Sequence, residues 1–137
     1  MTMAGSIAAP KHIFVLEDDP INRLLIEHEF EGDAYALRTA GDAATALSAF
    51  QHDPDSYEVG IFDLRVPSQP GEVPDVREAL KVITAARSAN PSMTIITISS
   101  IFISDDLREQ LNRLNVGKVF AKPFSLDELH KFIDSTS

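Results

Sequence analysis

The sequence predicts an α/β fold in which five parallel strands form one sheet with helices on both faces. Short apolar runs alternate five times with stretches of helical periodicity between residue 12 and residue 134. The most apolar run, "MTIITIS", has the pattern of a parallel strand that is buried on both sides. A chain of 137 residues is long enough for one domain with a substantial core and too short for two ordinary ones.

Composition excludes several classes of function. Apolar residues make up 44% and charged residues 24% of the chain, which is typical of a globular protein rather than a disordered or membrane one. No apolar run approaches the roughly 20 residues that span a bilayer. Residues 1–11 have no basic start, so we interpret them as a flexible leader and expect a cytoplasmic protein without membrane insertion. A formal net charge of −9 argues against direct nucleic-acid binding. The chain has no cysteine for disulfides or thiolate metal sites.

The first two strand–helix units cover residues 12–50. Residues 12–17 predict a strand, and the helix after it should begin at Pro20, which is favoured in a first turn, and end at Gly32. The run "AYALRTA" predicts a weaker strand nearer a sheet edge, and Asp42 is a good cap for the next helix. The inward residues predicted for the first helix are Ile21, Leu24, Leu25 and His28. Those predicted for the second are Ala43, Ala46, Leu47 and Phe50.

In the third unit, a long loop separates the strand from the helix. After the breaker-rich linker "QHDPDS", the strand "YEVGIFD" ends on Asp63. The following "LRVPSQPGEVPD" contains three prolines and a glycine and therefore predicts irregular structure. Asp75 and Glu78 have the spacing of a capping box at the start of the third helix. Its predicted inward residues are Val76, Ala79, Leu80, Ile83 and Ala86.

The fourth and fifth units complete the predicted domain. "MTIITIS" should be the central strand, and Ser104 should cap a helix with Asp105 and Asp106 in its first turn. "KVFA" predicts the last strand, and Ser125 with Glu128 forms a second capping box. The fourth helix should turn Leu107, Leu111 and Leu114 inward. We expect one domain over residues 12–134 and a short tail over residues 135–137.

Polar side chains follow four of the five predicted strands where those strands end. In an open parallel sheet, ligands bind where the carboxyl ends of the strands meet. Carboxylates without His or Cys ligands suit Mg²⁺, and an aspartate can act as a nucleophile. A lysine and a hydroxyl can stabilise a transferring phosphoryl group. The pattern therefore predicts a phosphoryl-capture site. The residues concerned are Glu17, Asp18, Asp63, Ser99, Ser100 and Lys122.

With these motifs in this order, the chain resembles the receiver domains of two-component response regulators, which have a flavodoxin-like (βα)5 fold. The matching segments are "VLEDD", "IFDLRVP", "TIITISS" and "KPF", and together they span nearly the whole chain. The resemblance implies a phosphoacceptor in a bacterial phosphorelay, rather than an enzyme that turns over an outside substrate. Asp63 would take a phosphoryl group from a histidine kinase or a histidine phosphotransfer protein, and the domain would then signal to a downstream protein target.

The resemblance also implies roles for individual site residues. The metal would be Mg²⁺, for which Mn²⁺ can substitute. Its ligands would be Glu17, Asp18, Asp63 and the backbone carbonyl of Arg65. The phosphoryl oxygens would be bound by Ser99 and Lys122. A cis peptide is expected before Pro123. Without the metal, repulsion among the acids should raise the pKa of at least one of them, and Asp19 should assist the start of the first helix instead.

Two departures from the family pattern affect the predicted switch. Val119 stands where many receivers carry an aromatic switch residue, so we predict a loop-based or altered switch with Phe102 as a candidate substitute. The loop after Asp63 is longer than usual, and it is either a docking surface or a tolerated insertion. Arg65 lies at a position that tunes phosphoryl lifetime, where its guanidinium would shield the phosphate or face solvent. Ser100 is interpreted as a small spacer beside the phosphate.

Two other functions compete with the phosphoacceptor hypothesis. A phosphatase of the haloacid dehalogenase type also uses a strand-end aspartate, but it needs a second aspartate two positions on, where this chain has Arg65. A receiver-like scaffold that acts without phosphorylation is disfavoured because the full set of acceptor residues is present. Since only "DSTS" follows the fifth helix, we expect a stand-alone receiver without an attached output domain.

Overall fold

Five strands and five helices alternate along the chain. The structure, a computed structural model, describes residues 9–53 and 57–136. Most of the predicted leader, part of the linker "QHDPDS" and Ser137 lie outside the described residues. The strands are β1 (Lys11–Leu16), β2 (Tyr35–Ala40), β3 (Val59–Asp63), β4 (Thr94–Ser99) and β5 (Val116–Ala121). The helices are α1 (Pro20–Glu29), α2 (Ala43–His52), α3 (Val76–Ala89), α4 (Asp105–Arg113) and α5 (Leu126–Ser135).

All strands of the sheet run parallel, in the order β2-β1-β3-β4-β5. The predicted α/β class and the edge position of β2 are therefore confirmed. β4 is an interior strand buried on both faces, as predicted, but it is not the middle one, because β3 occupies the middle and β4 lies between β3 and β5. The chain turns to one side of β1 to form β2 and to the other side to form β3. This reversal places a topological switch point at the ends of β1 and β3.

The sheet has a separate apolar core on each face. Successive residues of β1 point to opposite faces, so Phe14 and Leu16 pack with α2, α3 and α4. Ile13 and Val15 pack with α1 and α5 on the other side. Each of these four side chains is fully buried. The two cores fix both layers of helices and hold the strand ends in register.

The predicted inward face of α1 is wrong. Ile21, Leu24 and Leu25 are 68%, 65% and 49% exposed, whereas Ile26 and Phe30 are buried. Apolar residues occur at several angles around this helix, so periodicity alone does not choose the buried side. Packing against the core under β1 and β3 selects Ile26 and Phe30, which are four residues apart and share one face. Three apolar side chains are consequently left on the surface.

Both ends of the domain extend further than predicted. Lys11, assigned to the flexible leader, is the first residue of β1, and its ammonium donates to the carbonyls of Ile133 (2.9 Å) and Thr136 (3.0 Å). Ser135, assigned to the tail, is the last residue of α5. No helix among the described residues is long and apolar enough to cross a membrane. The cytoplasmic location stays a prediction.

The capping box predicted for α3 forms only in part. The carboxylate of Asp75 accepts from the backbone N–H of Arg77 at 2.8 Å, so Asp75 caps the helix. The carboxylate of Glu78 pairs with Lys81 at 2.9 Å and so serves the helix surface. At α5, the hydroxyl of Ser125 accepts from the N–H of Glu128 at 3.1 Å, which is the N-cap half of the second predicted capping box.

Candidate functional site

Strand pairing brings the predicted site residues together at the edge of the sheet where the strands end, which we call the carboxyl edge. Leu16 of β1 is paired with Phe62 of β3, so the residues that follow them, Glu17 and Asp63, lie side by side. On the other side of β3, the backbone N–H of Lys122 donates to the carbonyl of Ser99 at 2.8 Å. The ends of four separate strands thus meet at one place.

Lys122 connects the two buried acids. Its Nζ lies 2.7 Å from Oδ2 of Asp63 and 2.9 Å from Oε1 of Glu17. Burial of Lys122 opposes its charged form, but the hydrogen bonds to Asp63 and Glu17 outweigh burial and raise the pKa of the ammonium. The lysine is therefore a fixed positive charge beside Asp63. The Lys122–Pro123 peptide is cis.

Glu17 is the electrostatically costly member of the site. Its side chain has no exposed surface, and one carboxylate oxygen accepts from the N–H of Asp19 at 3.1 Å. Burial, followed by the negative charge of Asp63, raises the pKa of Glu17 to about 7. A raised pKa was expected for at least one of the acids, and Glu17 has it, with burial as the larger cause and repulsion from Asp63 as the second. One lysine does not balance two buried carboxylates.

Three carboxylates at the carboxyl edge could hold a cation. Oxygens of Glu17, Asp18 and Asp63 all lie within 4.8 Å of one another. The donors are oxygen atoms only, and Asp18 is partly exposed, which leaves room for water ligands. Mg²⁺ prefers such carboxylates together with several waters. The donor set therefore fits the predicted magnesium ion.

Asp19 has a different role from the two acids before it. Its Oδ1 accepts from the backbone N–H of Ile21 at 2.9 Å, and the residue is the N-cap of α1. This agrees with the assignment of Asp19 to the helix start. Only two members of the acidic run thus face the candidate cation site.

The hydroxyl predicted to bind phosphate is engaged with its own loop. Ser99 is buried; its Oγ accepts from the N–H of Ile101 at 3.0 Å and donates to the carbonyl of Ile101 at 3.2 Å. Ser100 is exposed beside Lys122. Phe102, the candidate switch aromatic, is 87% exposed and lies outside both cores. Val119 is partly buried and packs on the α2–α3–α4 side.

The backbone and the side chain of Arg65 make contacts in two different places. Its N–H donates to Oδ1 of Asp63 at 3.0 Å, which holds the acceptor carboxylate in place. Its guanidinium donates to the carbonyl of Pro74 at 3.4 Å, so it contacts the far end of the long loop. In this conformation the guanidinium does not shield the site.

The long loop after Asp63 is held at both ends. Asp75 donates its N–H to the carbonyl of Val66 at 3.0 Å and closes the base of the loop. The N–H groups of Ala43 and Ala44, at the start of α2, donate to the carbonyls of Pro67 and Ser68 at 2.9 Å. A helix N-terminus leaves such donors free, so the loop satisfies them. Sequence reasoning missed this contact because nothing in either segment indicates the other.

Sequence reasoning also missed Arg23 and Gly41. Arg23 lies on α1, and its guanidinium donates to the backbone carbonyl of Glu17 at 2.7 Å. A β-carbon at Gly41 would lie 2.6 Å from that guanidinium. An arginine in a helix and a glycine before a cap carry no signal of this kind in the sequence.

Comparisons with known proteins agree with the fold. A family model for the response regulator receiver domain matches residues 13–134. The chain is 24% identical over 123 residues to the probable transcriptional regulatory protein TcrX of Mycobacterium tuberculosis; the match covers 88% of this chain and 47% of that protein. The chain therefore spans about half the length of this relative, and its stand-alone character stays a prediction.

Solved structures show the same fold. A CheY-like response regulator receiver domain protein from Methanospirillum hungatei has a TM-score of 0.76 at 17% identity, with 91% of each chain covered. A response regulator protein from Burkholderia pseudomallei with a phosphorylated aspartic acid, a calcium ion and citrate has a TM-score of 0.70 at 18% identity. That match covers 88% of this chain and 64% of the other.

Proposed function

We propose that this chain, which belongs to the response regulator receiver domain family, accepts a phosphoryl group on Asp63 from a phosphohistidine of a partner protein. Phosphorylation on aspartate and signal transduction are typical of the family. The observation that carries the proposal is the ammonium of Lys122, which lies 2.7 Å from Asp63 and 2.9 Å from Glu17 at the carboxyl edge. The phosphorylated aspartic acid of the similar B. pseudomallei protein supports the assignment.

The reaction needs one nucleophile and compensation of charge. A carboxylate oxygen of Asp63 attacks phosphorus, the P–N bond to the donor imidazole breaks, and the imidazole leaves with the electron pair and takes up a proton. Asp63 is already oriented by the N–H of Arg65 and by Lys122. Because phosphoryl transfer depends mainly on positioning and charge stabilisation, these two contacts position the acceptor and supply part of the positive charge that the transfer requires.

Glu17, Asp18 and Asp63 would hold the Mg²⁺ ion, together with the backbone carbonyl of Arg65. When bound, Mg²⁺ supplies positive charge to phosphoryl oxygens and to the crowded carboxylates. The side chains are grouped for this before the ion arrives, since their oxygens lie within 4.8 Å of one another. The raised pKa of Glu17, about 7, means that binding the ion and losing the proton are linked at this residue.

Ser99 would convert phosphorylation into movement of the β4–α4 loop. Its hydroxyl now donates to the carbonyl of Ile101, and a phosphoryl group on Asp63 offers it a charged acceptor instead. Charge-assisted hydrogen bonds are the stronger ones, so the exchange would release Ile101 and shift residues 100–103. The exposed Phe102 in this segment would change its surroundings, and a downstream protein would read that change.

The surface beside Lys122 fits a protein donor. An open pocket of about 510 Å³ lies between α1 and the segment after β5. Leu25, Phe124 and Lys122 are among the residues that line it. Ile21 and Leu24 are exposed on the same helix. Exposed apolar clusters mark interaction sites, and this one adjoins Lys122, so it would dock the protein that carries the phosphohistidine.

Intact-mass measurement after incubation with Mg²⁺ and a small phosphodonor tests the acceptor. We expect wild type to gain the mass of one phosphoryl group and Asp63→Asn to gain none. A folded wild type that gains no mass would support the phosphorylation-independent scaffold instead. Gain on both proteins would move the acceptor away from Asp63.

Replacing Leu24 with serine tests the donor surface. The variant should take up phosphate from a small phosphodonor as wild type does, because Leu24 is 65% exposed and contributes no group to the acidic cluster. Transfer from a phosphohistidine protein should slow about tenfold, which corresponds to roughly 1.4 kcal/mol. Val73→Ser is the matched control, since Val73 is 80% exposed on the long loop. Equal slowing in both variants would contradict the docking assignment.

A further inference from the structure

We propose that Arg23 is a positioning residue for the metal site, and that Gly41 exists at its position to make room for the arginine. The guanidinium holds the backbone that carries Glu17 and Asp18, so both carboxylates stay directed toward Asp63. This inference deepens the proposed function, because it concerns the cation that the proposed phosphoacceptor uses.

The contacts of Arg23 are with backbone carbonyls. Its Nη1 donates to the carbonyl of Glu17 at 2.7 Å and, less closely, to that of Asp18 at 3.4 Å. Arg23 is in the first turns of α1, where its N–H donates to the carbonyl of Asp19 at 3.0 Å. The side chain of Arg23 thus reaches back to two of the residues that immediately precede α1. The carboxylates of Glu17 and Asp18 are left free by these contacts.

The chain between β1 and α1 needs this support. Glu17 leaves the sheet after one last bond from its N–H to the carbonyl of Ala40, at 3.0 Å. The next residues must turn toward α1 while like charges at Glu17, Asp18 and Asp63 repel one another. The guanidinium of Arg23 donates to the carbonyls of Glu17 and Asp18. It thereby fixes the peptide groups of both residues and the directions in which their side chains point. Outer contacts of this kind orient metal ligands.

Gly41, the residue directly after β2, completes the arrangement. A β-carbon there would lie 2.6 Å from Nη1 of Arg23, 3.5 Å from its Cζ and 3.8 Å from the carbonyl oxygen of Glu17. The first of these distances is a clash, and it involves the mobile end of a long side chain. An alanine at Gly41 would therefore displace the guanidinium while leaving the backbone nearly unchanged.

Charge and positioning predict opposite effects on Mg²⁺ binding. A guanidinium near a cation site repels the cation, so removing its charge alone would tighten Mg²⁺ binding. Loss of positioning weakens binding, since the two ligands are no longer held in place. The direction of the change therefore separates the two roles. Gly41→Ala removes the contact and keeps the charge, which isolates positioning.

Calorimetric titration of the unphosphorylated protein with Mg²⁺ alone is the test, at about pH 8, where Glu17 is ionised. We expect about tenfold weaker binding for Arg23→Met, and weakening in the same direction for Gly41→Ala. The double variant should bind Mg²⁺ no more weakly than Arg23→Met, because both changes break the same contact. Arg113→Met, which removes an exposed guanidinium on α4, should bind Mg²⁺ as wild type does.

Phosphorylation rates give a second readout. The Mg²⁺ concentration for half-maximal uptake should rise about tenfold in Arg23→Met, while the rate at saturating Mg²⁺ should approach that of wild type. Unchanged or tighter Mg²⁺ binding by folded Arg23→Met would overturn the inference, as would additive losses in the double variant. A wild type that binds Mg²⁺ and takes up no phosphate overturns only the proposed function. A wild type that binds no Mg²⁺ overturns both.

Discussion

Lys122 at the carboxyl edge and the positive side chains at the amino edge have opposite kinds of partner. At the amino edge, where the strands begin, Lys11 and Arg87 donate to neutral oxygens. At the carboxyl edge, Lys122 lies between the carboxylates of Glu17 and Asp63. A cation with carbonyl partners is a permanent structural contact, because those partners neither repel one another nor titrate. When one cation is shared by several carboxylates, the group keeps a net negative charge.

The amino edge is held by many such contacts. Arg87 donates to the carbonyls of Pro91, Met93, Leu114 and Asn115 at distances between 2.8 and 3.1 Å. It therefore ties the end of α3 to the starts of β4 and β5. Lys11 ties β1 to the end of α5 in the same manner.

A polar cluster of four residues lies near this edge, between α1, β2 and α5, and each of its members has a partner. Nδ1 of His130 lies 2.7 Å from the carboxylate of Glu29, and its Nε2 lies 2.8 Å from the hydroxyl of Tyr35. That hydroxyl also donates to Asp134. Burial, and then the hydrogen bond to Asp134, raises the pKa of Tyr35 to about 12. This cluster links three elements.

This difference between the two edges indicates where the functional site lies. Polar groups that satisfy one another stabilise the fold and have no further need of a ligand. At the carboxyl edge, one lysine faces three carboxylates, and the cost appears in the pKa of Glu17. A bound cation would neutralise part of this excess negative charge, and a phosphoryl group on Asp63 would alter it. Changes at the carboxyl edge should therefore alter chemistry, and changes at the amino edge should alter stability alone.

The largest expected effect is that of Lys122→Met. Loss of the ammonium that contacts Asp63 should slow phosphoryl uptake about 100- to 1,000-fold, as loss of one preorganised donor does. The rate is measured with a small phosphodonor and intact mass. Lys118→Met is the matched control, since Lys118 lies on β5 and its Nζ is 5.7 Å from the centroid of the Phe120 ring. If Lys122→Met and Lys118→Met took up phosphate at similar rates, the role assigned to Lys122 at the carboxyl edge would be contradicted.

Between about pH 5 and about pH 8, the pH dependence of stability should come mainly from Glu17 at the carboxyl edge. The pKa of Glu17 rises from 4.5 to about 7 on folding, so its contribution is complete below about pH 4.5 and is lost as the pH rises through about 7. Metal-free wild type should therefore lose up to about 3 kcal/mol of unfolding free energy between about pH 5 and about pH 8.

Urea denaturation of wild type and Glu17→Gln at both pH values measures this loss. The variant should show little of it, because glutamine has no proton to release. Excess Mg²⁺ should reduce the loss in wild type. An equally steep pH dependence in the variant would show that another group is responsible.

Arg87→Met should lower stability without affecting function. We expect a loss of about 2 kcal/mol in unfolding free energy, because several carbonyls lose a charged donor. Mg²⁺ affinity and the phosphorylation rate of the folded protein should equal those of wild type. Arg108→Met, at an exposed position on α4, should change neither quantity. A fall in Mg²⁺ affinity for Arg87→Met would mean that the two edges are coupled.

The smallest expected effect is that of Tyr35→Phe at the same edge. Removing the hydroxyl leaves Asp134 and Nε2 of His130 without a shared partner, at a cost of about 1 kcal/mol. Urea denaturation measures the loss, and phosphorylation should be unaffected. In a double-mutant cycle, Asp134→Asn should lower the unfolding free energy less in the Tyr35→Phe variant than in wild type. Independent effects would show that the cluster is not one unit.

The sequence by itself determined the order of elements and the members of the acidic site. Apolar periodicity, caps and breakers are local signals, so they predicted five strand–helix units. Residues that follow directly after strands must lie at the carboxyl edge of a parallel sheet. For this reason Glu17, Asp63 and Lys122 could be grouped from sequence although Glu17 and Lys122 are far apart along the chain.

Only the tertiary structure decided how these elements and side chains meet. The core chose Ile26 over Leu24 for burial, although both fit a helical period. Strand order put Gly41 beside Arg23, and the fold of the long loop drew the guanidinium of Arg65 toward Pro74. Such contacts join residues from different elements, and their energies depend on burial and distance. Neither quantity exists in a sequence until the chain has folded.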